Sequence, residues 1–128
     1  MIAVNPNQNE LTATEQDIVD QIWQREEQLA VPSATSGDVA NMVASDFVSF
    51  DAQGNTVAKH EYVDQLNNTD SERTGITRLW AHFGSENSCC LAYMREAERT
   101  QPDICMALWI ERDGAWQKTF HHQNAKFG

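Results

Sequence analysis

Tyr93 and Arg95 stand two residues apart in the run SCCLAYMREAE at positions 88–98. On an extended strand alternate side chains share a face, so Leu91, Tyr93 and Arg95 point one way, and Cys90, Ala92, Met94 and Glu96 the other. A guanidinium on such a face suits a carboxylate or another anion, which it holds by paired hydrogen bonds. Two ordinary uses compete with that one. Arg95 reaches solvent along its apolar stem, or it pairs with Glu111. In the next run, DICMALWIER at 103–112, Cys105, Ala107, Trp109 and Glu111 form one row. Ile104, Met106, Leu108 and Ile110 form the opposite row, which is entirely apolar. His121 and His122 are adjacent, as are Cys89 and Cys90, so neither pair can converge on one ion from a strand. No His and carboxylate cluster has ligand spacing on one face, and no metal or cofactor is expected.

These side chains need a folded frame, and the chain is long enough to supply one. It has 128 residues, 41% of them hydrophobic, which fits a single domain with one core. Nine Lys and Arg against nineteen Asp and Glu give a formal net charge of -10. That balance disfavours nucleic acid and anionic membrane surfaces as partners. No stretch approaches the apolar run of about 18 residues that a membrane helix needs. The N-terminus MIAVNPNQNE lacks the pattern of a signal peptide, and three cysteines are an odd number. Reduced thiols in a cytoplasmic compartment follow as the expectation.

Residues 1–10 read as a flexible polar segment, with one domain over 11–128. A helix is predicted over TATEQDIVDQIWQREEQLA, where Thr12 and Glu15 fit a capping box and Ile18, Val19, Ile22, Trp23 and Leu29 fall near one face. VPSATSGD breaks it, and Ser36 or Asp38 can cap a short helix at DVANMVAS. DFVSFDAQGNTV reads as a strand entering a turn, and KHEYVDQLNN as a third helix. The second half is four strand-like runs, GITRLWAHFG, SCCLAYMREAE, DICMALWIER and AWQKTFHHQN, separated by SEN, RTQP and DG. Helices followed by an antiparallel meander make an α+β fold, with the helices on one face of a curved sheet.

That element order, with SCCLAYMR at 88–95 and LWIERDGAWQKTFHHQN at 108–124, resembles the nuclear transport factor two-like (NTF2-like) superfamily. The superfamily includes ketosteroid isomerase and the SnoaL-like cyclases. Within it, the chain is most similar to the association (hub) domain of calcium/calmodulin-dependent protein kinase II and its bacterial stand-alone relatives. The resemblance implies a cone-shaped, cystatin-like roll whose helices close a pocket over the concave side of the sheet. It also implies a homodimer, or a higher homo-oligomer, formed through the sheet's outer side. It puts Arg95 and Trp109 toward the pocket and the aliphatic row at 104–110 in the interface. The opposite assignment, with the aliphatic row as core and Trp109 partly exposed, remains open. Of the pocket arginines of the hub, one falls on Arg95, while the others fall on Ala107 and Gln123; a pocket histidine falls on Val63.

The hairpin at RDGA sets which residues of the last strand face inward. A three-residue loop 112–114, which the resemblance favours, pairs Glu111 with Ala115 and puts Gln117, Thr119, His121 and Gln123 beside Trp109. A two-residue Asp113-Gly114 loop puts Lys118, Phe120 and His122 inside instead. The candidate ligand-binding residues are therefore Tyr93, Arg95, Trp109, Glu111, Thr119, His121 and Gln123. The expected function is small-molecule binding, with a carboxylate as the natural ligand of Arg95. An isomerase or cyclase is the alternative, with Glu111, Asp46 or His121 as base and Tyr93 as donor, although no recognisable catalytic pair stands at matching positions. A pure oligomerisation module is the third reading. A deeply buried carboxylate in the pocket would favour the enzyme.

Overall fold

The computed structural model describes residues 11–30, 36–51, 53–68, 73–97 and 103–123. The N-terminal segment 1–10, the break at 31–35 and the RTQP turn lie outside the described residues. The first helix, α1 (Ala13–Ala30), starts where the sequence places it. The Thr12 backbone N–H donates to Glu15 Oε1 at 3.0 Å, and the Glu15 N–H donates to Thr12 Oγ1 at 3.1 Å. This reciprocal cap satisfies two N–H groups that have no partner within the helix. Val19, Ile22, Trp23 and Leu29 are buried along its inward stripe. α2 (Ser36–Met42) is shorter than expected, because Val43 and Ala44 already belong to β1 (Val43–Phe50). β2 (Thr56–Ala58) turns back on β1, and α3 (Lys59–Asn68) follows, with Tyr62 and Leu66 inward one turn apart.

The meander is present as β3 (Arg73–Ser85), β4 (Ser88–Ala97), β5 (Asp103–Arg112) and β6 (Ala115–Gln123). The strand order is β2-β1-β6-β5-β4-β3. All neighbours are antiparallel except β1 and β6, which pair in parallel and join the helical half to the meander. The result is an α+β fold with helices against one face of a curved, unclosed sheet.

Burial decides between the two face assignments. Cys89, Leu91 and Tyr93 on β4, and Cys105, Ala107 and Trp109 on β5, are at most 1% exposed and form the core beneath the helices. The row Ile104, Met106, Leu108 and Ile110 faces the other way and is only partly covered, with Met106 38% exposed. Trp109 goes inside because an indole buries the largest apolar area of any side chain and here also finds an acceptor for its N–H.

The last hairpin departs from the favoured expectation. Arg112 pairs with Ala115, so the loop is the two-residue Asp113-Gly114 and not 112–114. Both loop residues have positive φ, 54° and 82°, the conformation of a type I′ turn. Lys118 therefore faces the core. The register then slips between the pairs Leu108–Phe120 and Trp109–Lys118, leaving Thr119 as the extra residue of a bulge, where its hydroxyl bonds the Leu108 carbonyl at 3.3 Å. Past the bulge the alternation restarts with His121 buried and His122 half-buried on the outer side. Each of the two expected registers thus holds for one half of β6.

Candidate functional site

The buried side chains over the sheet are held by one polar cluster. Glu26 lies on the inward stripe of α1, four residues after Ile22 and three before Leu29, and is fully buried. Its Oε1 accepts from Trp109 Nε1 at 2.9 Å, and its Oε2 accepts from the Tyr93 hydroxyl at 2.6 Å and from Lys118 Nζ at 2.7 Å. Lys118, also fully buried, donates in addition to the Tyr62 hydroxyl at 3.0 Å and contacts His121 Nδ1 at 2.9 Å. An ammonium has three N–H groups and no acceptor. With all three engaged, the ring nitrogen facing Lys118 must accept, which places the His121 proton on Nε2.

Burial alone pulls the Lys118 ammonium down, but the Glu26 charge and the hydrogen bonds outweigh it, and Lys118 stays cationic above its ordinary value of 10.5. Burial and the Glu26 charge both push Tyr93 well above 10.0, so it is a phenol that donates. Burial pushes the Cys89 thiol up to about 12 and the Cys105 thiol up to about 11. Both remain protonated and unreactive near neutral pH.

A cavity of about 260 Å³ opens next to this cluster. Glu26 and Leu29 of α1 line one side, with Tyr62, Gln65 and Leu66 of α3. Ser49 and Phe50 of β1, the partly exposed Asp51 just after it, and Val57 of β2 also line it, with Tyr93, Arg95, His121 and Gln123 of the sheet. Arg95 is 17% exposed at its side chain. Its Nη2 donates to Asp103 Oδ2 at 2.8 Å, and Gln123 Nε2 reaches the same oxygen at 2.7 Å. Among the described residues this is the one hydrogen bond of the guanidinium, which leaves further N–H donors along the cavity wall. Asp103 is 5% exposed, and its Oδ1 is buried without a partner among the described residues.

The seven residues singled out from the sequence separate into three groups. Tyr93, Arg95, His121 and Gln123 share the cavity. Trp109 lies beneath it, bonded to Glu26. Glu111 and Thr119 are elsewhere: Glu111 closes the hairpin, accepting from the Gly114 N–H at 2.7 Å and from the Asn87 side-chain amide, and Thr119 serves the bulge. The partner of Arg95 is Asp103, not Glu111. Asp46 is exposed and takes Arg112 at 3.0 Å. Glu26, Tyr62 and Asp103 were not foreseen. A signal for Glu26 was there, since it is a carboxylate on the apolar stripe of a helix and an unpaired charge is almost never buried. Among the described residues no three His, Cys, Asp or Glu side chains come together as a metal cluster, and no described helix is long and apolar enough to cross a membrane.

No protein-family model matches the chain, and no curated protein matches it. Solved structures do. The association domain of C. elegans CaMKII aligns with a TM-score of 0.68 at 18% identity, over 88% of this chain and 96% of that one. An NTF2-like protein of unknown function from Pseudomonas putida aligns with a TM-score of 0.67 at 15% identity, over 92% and 91%. Another, from Prochlorococcus, aligns with a TM-score of 0.66 at 10% identity, over 92% and 96%. At these identities the likeness is one of fold.

Two outcomes follow from the buried cluster. Lys118→Ala leaves the Glu26 charge buried without a counter-ion and should cost about 3–5 kcal/mol in urea unfolding. The pair Glu26→Gln with Lys118→Met removes both charges, keeps an amide oxygen as acceptor for Trp109 and sets the amide NH2 against the Tyr93 hydroxyl, which can turn to accept, and should stay near wild type; equal losses in both variants would show that the ion pair is not what matters. The second outcome concerns alkaline pH. Cys89, Cys105, Tyr93 and Lys118 all hold their protons in the fold past the ordinary values of 9.0, 10.0 and 10.5 at which the unfolded chain loses them. Above these values the folded state binds more protons, so stability is full below pH 9.0 and falls as pH rises toward the folded-state values. A urea midpoint that stays flat between pH 8 and 11 would contradict this.

Proposed function

Taking the NTF2-like fold as the premise, we propose that the chain is a self-associating binding protein for a small carboxylate, which Arg95 holds in the cavity between α1, α3 and the sheet. One observation carries the reading: a largely buried guanidinium on the cavity wall with most of its donors unspent. A cavity of about 260 Å³ lies below the roughly 300–1,000 Å³ of sites for drug-sized molecules, so the ligand is small.

Glu26 is the observation that favours catalysis, since a buried carboxylate beside a cavity is what a proton-abstracting enzyme uses. Its environment argues for binding instead. Three donors already occupy its two oxygens, one of them an ammonium at 2.7 Å, so little of the carboxylate is free to reach a substrate proton. His121, fixed as an acceptor toward Lys118, is likewise poorly placed to take a proton at Nδ1.

Self-association is supported by the outer side of the sheet, which no described helix covers. Ile104, Met106, Leu108 and Ile110 lie there beside Ala92, Met94 and Phe120. Complete burial of such side chains is worth roughly 1.5–3 kcal/mol each relative to exposure. The CaMKII association domain among the structural neighbours is named for assembly, which agrees with this reading.

Arg95→Gln should weaken binding of a small carboxylate by about 2–5 kcal/mol in titration calorimetry, as for the loss of one partner of a buried charged contact. Arg95→Lys should restore part of it, because a point charge cannot reproduce the planar fork. Unchanged affinity in Arg95→Gln would reject the site. Sedimentation should find a dimer or larger species, and Leu108→Glu should drive it to monomer; a wild-type monomer at micromolar concentration would reject the interface.

A further inference from the structure

The charges around the cavity do not cancel, and the remainder indicates what kind of carboxylate fits. Among the described residues, the charged groups lining it are Glu26, Asp51 and Arg95. Glu26 is neutralised from behind by Lys118 at 2.7 Å, and Arg95 by Asp103 at 2.8 Å. Among the described residues the hydrogen-bond partners of Asp51 are neutral: the Gln53 and Asn55 backbone N–H groups on Oδ1, each at 2.9 Å, and the Asn55 side-chain amide on Oδ2 at 3.0 Å. These bonds hold its carboxyl below the ordinary range, so it is ionised throughout the neutral range.

A simple monocarboxylate entering this cavity would bring a second uncompensated negative charge near Asp51. A ligand that also carries an ammonium would bring none, and among the described residues Asp51 is the carboxylate lining the cavity that has no cation beside it, whereas Glu26 already holds Lys118 and two further donors. We propose that the ligand is a small zwitterion, an amino acid whose carboxylate meets Arg95 and whose ammonium meets Asp51. The inference rests on the carboxylate reading above and narrows it. Asp51 is partly exposed, so its pairing with an ammonium is screened and sets a preference between ligand classes more than a large affinity.

The test is a titration of the full chain followed by ¹H–¹⁵N chemical shifts, using glycine, β-alanine and 4-aminobutanoate against acetate, propanoate and butanoate. The expected result is that at least one amino acid binds about three- to tenfold more tightly than the plain acid of equal length. N-acetylation of that amino acid should abolish the advantage in the wild-type protein, and Asp51→Asn should abolish it for the unmodified ligand. The N-acetyl comparison stands even if the variant disturbs the turn. Plain acids that bind as tightly as the amino acids, with both lost in Arg95→Gln, would overturn the zwitterion and leave the carboxylate site standing. If neither class shifts any cavity resonance at about 50 mM, far above the weak-affinity range, the carboxylate site fails and the zwitterion with it.

Discussion

The ion pair between Lys118 and Glu26 is the interaction on which the interior depends. Both side chains are fully buried, and neither could be so without the other, since an isolated charge in that environment costs several kcal/mol. The pair fixes the position of α1 over the sheet. Through its two oxygens Glu26 also orients Tyr93 and Trp109, and through its three N–H groups Lys118 orients Tyr62 and His121. Four side chains from three strands and α3 therefore take their places from one charge contact. Hydrophobic burial alone would not select those orientations, because it is non-directional.

The same contact leaves the cavity with fixed walls. A wall built of aromatic hydroxyls bonded to a buried charge does not readily rearrange to admit a ligand, so the available space is largely preformed. Arg95 is held differently. Its one hydrogen bond among the described residues, to Asp103, leaves much of the fork unused. The interior thus combines a saturated centre with an unsaturated margin, and ligand chemistry belongs at the margin.

Much of the fold could be read from the sequence. The capping box at Thr12 and Glu15, the apolar stripe of α1 and the four alternating runs are local patterns, and each corresponds to an element. The two rows of β5 were readable because they differ, although alternation alone did not say which row was the core. The parallel pairing of β1 with β6 was not readable, since nothing local distinguishes a strand that pairs with a neighbour from one that pairs across the chain. The site was readable in part. Arg95 and Tyr93 share a face by simple alternation. Lys118 and His121 are three residues apart, so no regular strand puts both inside; only the bulge at Thr119 does, and a threonine there carries no signature of one. Glu26 was readable in principle, as a carboxylate out of place on an apolar stripe.

The position of β6 has a consequence for how the chain is made. Glu26 is among the first residues of the described fold to be synthesised, and its counter-ion comes 92 positions later. β6 also stands between β1 and β5, so until it arrives the two halves of the sheet have no connection. A nascent chain emerging from the ribosome can form helices and the first hairpins of the meander. It cannot close the interior, and α1 must carry a charged, uncompensated face until β6 has emerged. Contacts this distant in sequence close slowly, and partly folded chains with open strand edges tend to associate wrongly. Productive folding of this protein is therefore completed late, when β6 slides in between the two halves that await it.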